Sequence, residues 1–189
     1  ARALTPLQAA PLWRREPYRI FFPLGCLLAW AGVLHWFLHS IGWLADYAPV
    51  FHAIAQIQGF MMCFAVGFLF TAIPRRTGTA PPDAWQMILG IAAPVCTTIA
   101  AWYEKWALSQ VFWLAMVVVL VTFAVSRFLS PDAGRRPPIS FIWVPLSLLM
   151  GITGSVLIAV AGIRGEGYFW LHDLGRLVLL QGMFIGLVV

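Results

Sequence analysis

Six apolar stretches, each about as long as the hydrocarbon layer of a bilayer is thick when coiled as a helix, occupy most of this chain. About 20 mostly apolar residues cross that ~30 Å layer as a helix, and hydropathy places such spans near residues 20–42, 50–73, 86–103, 108–128, 140–162 and 171–189. Each is too long for a barrel strand and lacks period-two alternation, and backbone amides in lipid must be bonded within their own helix. The expected fold is therefore all-α, a polytopic transmembrane helix bundle of about six spans. With 61% hydrophobic and 10% charged residues in a chain of 189, residues 20–189 read as one bundle and residues 1–19 as a cytoplasmic lead-in.

The net charge of +5 reports topology rather than an acidic partner. Arg2, Arg14, Arg15 and Arg19 precede the first span, Arg75 and Arg76 follow the second, and Arg127, Arg135 and Arg136 surround the end of the fourth. Only Lys105, Arg164 and Arg176 lie toward the opposite side. By the positive-inside rule the N-terminus is cytoplasmic and the loops near Asp46, Glu104 and Glu166 face out. Nucleic-acid binding is excluded by this distribution; the expected partners are the lipid bilayer and other membrane chains. A cysteine placed at Gly78 should accordingly resist labelling from outside intact cells, and its modification there would overturn the orientation. Trp13, Trp85 and Trp143 near one boundary and Trp43, Trp106 and Trp170 near the other fit aromatic belts.

The connectors carry breakers: Pro74 and the Gly78 to Pro82 run after the second span, and Pro131, Gly134, Pro137 and Pro138 after the fourth. A short turn at Glu104 and Lys105 makes the third and fourth spans an antiparallel hairpin. The first residues, with Pro6, Pro11 and Pro17, lack the apolar core of a secretory signal. From Leu171 to Val189 the sixth span reaches roughly 28 Å at ~1.5 Å per residue, with no basic flank. The natural polypeptide is thus expected to continue past Val189, against which an intact mass near 21.0 kDa would stand.

Cys26, Cys63 and Cys96 lie singly in different spans and read as packing residues. The four histidines are more informative, because ionisable residues within spans mark ligands or polar pathways. His35 and His39 share a face of the first span at i, i+4 spacing; His52 opens the second span and His172 the sixth. All four belong at one depth, and imidazole suits copper, zinc and haem iron. His52, Gln56, Gly59, Cys63 and Gly67 form one stripe of the second span, a small-residue packing seam with a polar upper end. Arg176 sits where it can pair with Asp173 or hold an anion such as a propionate. No zinc-protease motif, phosphate-cradling glycine loop, nucleophile elbow or close carboxylate pair is present, and no catalytic residue is assigned.

Three motifs resemble the NnrS family of membrane proteins. They are Glu16-Pro17-Tyr18-Arg19-Ile20-Phe21-Phe22-Pro23-Leu24-Gly25; Phe51-His52 with Gly59-Phe60, Gly67-Phe68-Leu69-Phe70-Thr71-Ala72-Ile73-Pro74 and Thr77-Gly78; and Gly175-Arg176-Leu177-Val178-Leu179-Leu180-Gln181-Gly182-Met183-Phe184. They recur in the family's order across nearly the whole chain, which matches the first half of the family's pattern. The resemblance implies a multi-pass protein of the bacterial inner membrane, associated with haem, copper and nitric-oxide or denitrification metabolism. Where the family typically has Trp-His-x-His-Glu-Met, this chain has Phe51-His52-Ala53-Ile54-Ala55-Gln56. Only His52 carries over directly. His52, His35, His39 and His172 are the candidate metal ligands, and His52, Gln56 and Arg176 the candidate cofactor-binding residues. The alternative is a structural accessory subunit of a larger membrane redox or photosynthetic assembly that keeps the fold without the cofactor.

Overall fold

The computed structural model describes residues 9–130 and 142–188. A short helix α1 (Leu12–Arg15) leads into α2 (Tyr18–Ser40), α3 (Pro49–Thr77), α4 (Ala84–Trp102), α5 (Trp106–Phe128) and α6 (Trp143–Arg164). The last helix, α7, comprises Phe169–Leu177, Val178–Ile185 and Gly186–Val188 in unbroken succession. No strand occurs among the described residues. Five helices, α2 to α6, are long and apolar enough to cross a membrane, and α7 covers the sixth expected stretch. The expected connector at Pro131 to Pro138, with Arg135 and Arg136, lies outside the described residues, as do Arg2, Pro6 and Val189.

Local chemistry explains most boundaries. Asp83 and Gln86 form a capping box at the start of α4, with the Asp83 amide donating to Gln86 Oε1 at 2.8 Å. The α3 helix does not break at Pro74, as expected from sequence, but runs on to Thr77. Proline removes one donor, yet the Gly78 N–H still reaches the Pro74 carbonyl at 2.8 Å. The stop is Gly78 itself, at φ +74°, a left-handed conformation that glycine enters without steric cost.

The α3 helix is the axis of the bundle: 67% of its apolar window is buried, against 28% for α2. It packs against α2, α4 and α5, while α4 and α5, α5 and α6, and α6 and α7 pair in sequence order. One end gathers arginines. Arg14 bonds the Pro82 carbonyl at 2.7 Å and Asp83 at 3.0 Å, Arg75 lies 3.5 Å from Glu16, and Arg127 reaches the Ala80 and Pro81 carbonyls. Glu16 also pairs with Arg19, whose hydrogen bond is the main reason its carboxyl titrates below the usual range. The opposite end carries the histidines.

Two helices contain π-helical segments that hydropathy does not reveal, Ala55–Met61 in α3 and Val178–Ile185 in α7. Such wide turns are often found at functional sites. These two touch each other across the bundle.

Candidate imidazole site

The small-residue seam of α3 is where the site is anchored. A Cβ on Gly67 would meet Phe21 Cβ at 2.8 Å, and one on Gly25 would meet Cys63 Cβ at 3.1 Å. Glycines thus let α2 and α3 approach closely. The seam is covered within the chain, and its polar upper end faces α2 as well. His52 Nδ1 lies 3.1 Å from the Gly32 carbonyl, and Gln56 Nε2 donates to the Ala29 carbonyl at 2.8 Å. Gln56 therefore braces α2 against α3 and makes no hydrogen bond to an imidazole.

A carbonyl can only accept, so His52 Nδ1 carries a proton, and in the neutral ring Nε2 is the nitrogen with the free lone pair. The ring is stacked on Trp36, with centroids 4.1 Å apart. His39 repeats the arrangement, with Nδ1 3.2 Å from the Leu44 carbonyl. An imidazole whose second nitrogen donates to a backbone carbonyl is fixed in tautomer and orientation, the arrangement usual for metal ligands. His35 is different: Nε2 accepts the Ala48 N–H at 3.4 Å, and the buried Nδ1 has no partner. Tyr47 links the group, its ring centroid 5.6 Å from His35 and 5.5 Å from His39.

His172 stands apart. It is 2% exposed, stacked on Phe169 and 5.4 Å from the Trp106 ring. A small cavity joins it to Ala53, Ile54, Ile57 and Gln58 of α3 and to Arg176. Those α3 residues lie on a different face from His52 and Gln56, which bond to carbonyls of α2. The shared depth expected for the four histidines holds as a shared end of the bundle, but α3 separates His172 from the other three. The α7 helix packs chiefly against α6 and the π segment of α3, and its Phe184 and Leu187 share a groove with Phe22 of α2. Among the described residues no three His, Cys, Asp or Glu side chains are grouped to hold a metal ion.

Neither ring nitrogen of His172 has a hydrogen bond, although Nδ1 lies 3.7 Å from Asp173 Oδ1. Leaving such a group unsatisfied costs about 1–3 kcal/mol, which marks His172 as a second place able to receive a ligand. Arg176 pairs with Asp173 at 3.4 Å and is half exposed.

A buried polar network next to this cavity was not anticipated from the sequence. Gln58 and Gln110 exchange amide hydrogen bonds of 2.7 and 2.9 Å, Ser155 donates to Gln110 Oε1 at 2.7 Å, and Gln110 Nε2 donates to Ser109 Oγ at 3.0 Å. The network ties α3, α5 and α6. Its only sequence signal is the presence of two amides, Gln58 and Gln110, inside otherwise apolar runs.

The family model described as NnrS protein matches residues 11–189. No curated protein and no solved structure matches the chain.

Proposed function

This chain belongs to the NnrS family, and from that membership and the imidazole geometry we propose that it binds haem or copper in nitric-oxide or denitrification metabolism. On this reading it is a multi-pass protein of the bacterial cytoplasmic membrane, with its arginine-rich end inside and its histidine-rich end outside. The observation that carries the reading is the pair His39 and His52, each holding Nδ1–H on a backbone carbonyl and leaving the Nε2 lone pair for a metal.

The residues present fit such a group. Imidazole nitrogen suits both copper and haem iron, and His52 with His39 would be the side chains to hold either. A haem or copper bound here would supply a redox-active metal able to take a small ligand. The chain's own contribution is orientation: Gly32 and Leu44 fix the two tautomers, Trp36 holds the His52 ring, and Gln56 locks α3 onto α2. His52 is the leading ligand, with His39 next and His35 and His172 as the further candidates.

Metal analysis and haem extraction on the protein purified from membranes test this directly. The expected result is bound haem or copper in the wild type and loss of most of it, about tenfold or more, in His52→Ala. A well-folded wild type free of both would overturn the reading and leave the accessory-subunit alternative.

A further inference from the structure

At the histidine end a cavity of about 660 Å³ opens between the α2–α3 connection and the α4–α5 turn. Its wall includes Asp46, Glu104, Tyr47, Trp102, Tyr103 and His35. Neither carboxylate has an ion-pair partner among the described residues. The cavity also sits at the C-terminus of α4, where the aligned peptide dipoles add partial negative charge. Two carboxylates, a helix C-terminus and three aromatic rings attract a cation, and aromatic faces favour an organic ammonium over a hydrated metal ion.

Glu104 occupies this wall against local preference. Among the described residues it is the one non-glycine with positive φ, +55°. Its N–H bonds the Ala101 carbonyl at 3.0 Å while the Lys105 N–H bonds the Ala100 carbonyl at 2.9 Å. That is a Schellman motif, in which glycine is the favoured residue at this position. An acidic side chain there opposes both the left-handed backbone and the helix dipole. Local rules broken together in a cavity wall point to a use for the carboxylate.

His35 narrows the ligand. It is 3% exposed and lines the same cavity; Nε2 takes the Ala48 N–H, which leaves the proton on Nδ1, and that N–H has no acceptor. A ligand with an oxygen near its ammonium group satisfies that donor as well as the carboxylates. We propose that this cavity binds an amino-alcohol group of the choline or ethanolamine kind, its ammonium held by Asp46, Glu104 and the aromatic rings. The group arrives either as a free solute or as a phospholipid headgroup. Neither carboxylate is a proposed metal ligand, and on this proposal His35 donates to the amino alcohol rather than holding the metal.

The test uses the whole purified chain. Titration calorimetry in detergent with choline and with ethanolamine reads the free solute. Native mass spectrometry from nanodiscs of mixed phosphatidylethanolamine and phosphatidylglycerol reads the headgroup. Saturable binding in the first identifies the free solute; selective retention of phosphatidylethanolamine with no response to the free solutes identifies the headgroup. In either case Glu104→Gly and Asp46→Asn should each weaken binding about tenfold, close to 1.4 kcal/mol. Glu104→Gly should also leave thermal stability equal or higher and metal content unchanged, so loss of binding is not loss of fold. Absence of both signals, binding unaffected by the two substitutions, or displacement of the amine by magnesium at equal concentration overturns the proposal.

Discussion

Replacing Gly175 by leucine lowers the melting midpoint of the purified protein by about 5 °C or more, the largest effect expected of any single change in α7. Gly154 of α6 and Gly175 of α7 face each other. A Cβ on either would lie 2.6 Å from the other's carbonyl oxygen, and one on Gly175 would also meet Ile158 Cγ1 at 2.8 Å. A carbonyl cannot rotate out of the way as a side-chain tip can, so the helices must part. Overpacking of this kind costs roughly 1–3 kcal/mol or more. Gly154→Leu should behave alike, and the double variant should cost less than the sum, because the first substitution has already opened the contact. Gly167, whose Cβ would meet nothing within 4 Å, is the control; Gly167→Ala should melt with the wild type. A Gly175→Leu midpoint equal to that of wild type would contradict the packing described. Gly175 lies between His172 and Arg176, so the same change should disturb the His172 cavity.

Gln110→Leu should destabilise the bundle by about 2 kcal/mol, and Gln58→Leu placed on top of it should restore part of the loss. Gln110 satisfies the Gln58 amide and the Ser155 hydroxyl at once. Removing it strands two buried groups at roughly 1–3 kcal/mol each, less whatever they recover from new partners. The net worth of an interhelical hydrogen bond within a membrane, read from double-mutant cycles, averages only ~0.6 kcal/mol. The stranded state is therefore worse than the wholly apolar one. Reversible unfolding in mixed detergent of the two single variants and the double variant measures the coupling. Simple additivity of the two single effects would contradict a reciprocal amide pair.

Hydropathy made the helices legible because apolar length is the dominant requirement on a spanning segment. The boundaries at Gly78 and at Glu104 followed from turn chemistry, while Pro74 misled because a proline in the last turn costs one donor without ending the helix. The seam of Gly59, Cys63 and Gly67 was readable from its spacing, and its partners proved to be α2 and, at Gly59, Thr98 of α4 in the same chain. Faces were less readable than depths. His52 and His172 share an end, yet which side of α3 each occupies depends on how α7 docks on α6 through Gly154 and Gly175, a tertiary fact. The π segments leave no mark in composition, since widening the hydrogen-bond pattern by one residue needs no particular side chain. Gln58 and Gln110 were each visible as amides, but their pairing spans α3 and α5 and exists only in the packed bundle.

The proposed role of the imidazoles is tested most directly by electron paramagnetic resonance of protein carrying ¹⁵N-labelled histidine, recorded on the oxidised, cofactor-loaded form. Direct ligation by His52 predicts a histidine nitrogen hyperfine coupling that is lost or changed in His52→Ala and retained in Gln56→Ala, since Gln56 bonds only the Ala29 carbonyl. A paramagnetic centre with no histidine nitrogen coupling, or with a coupling identical in His52→Ala, would contradict it.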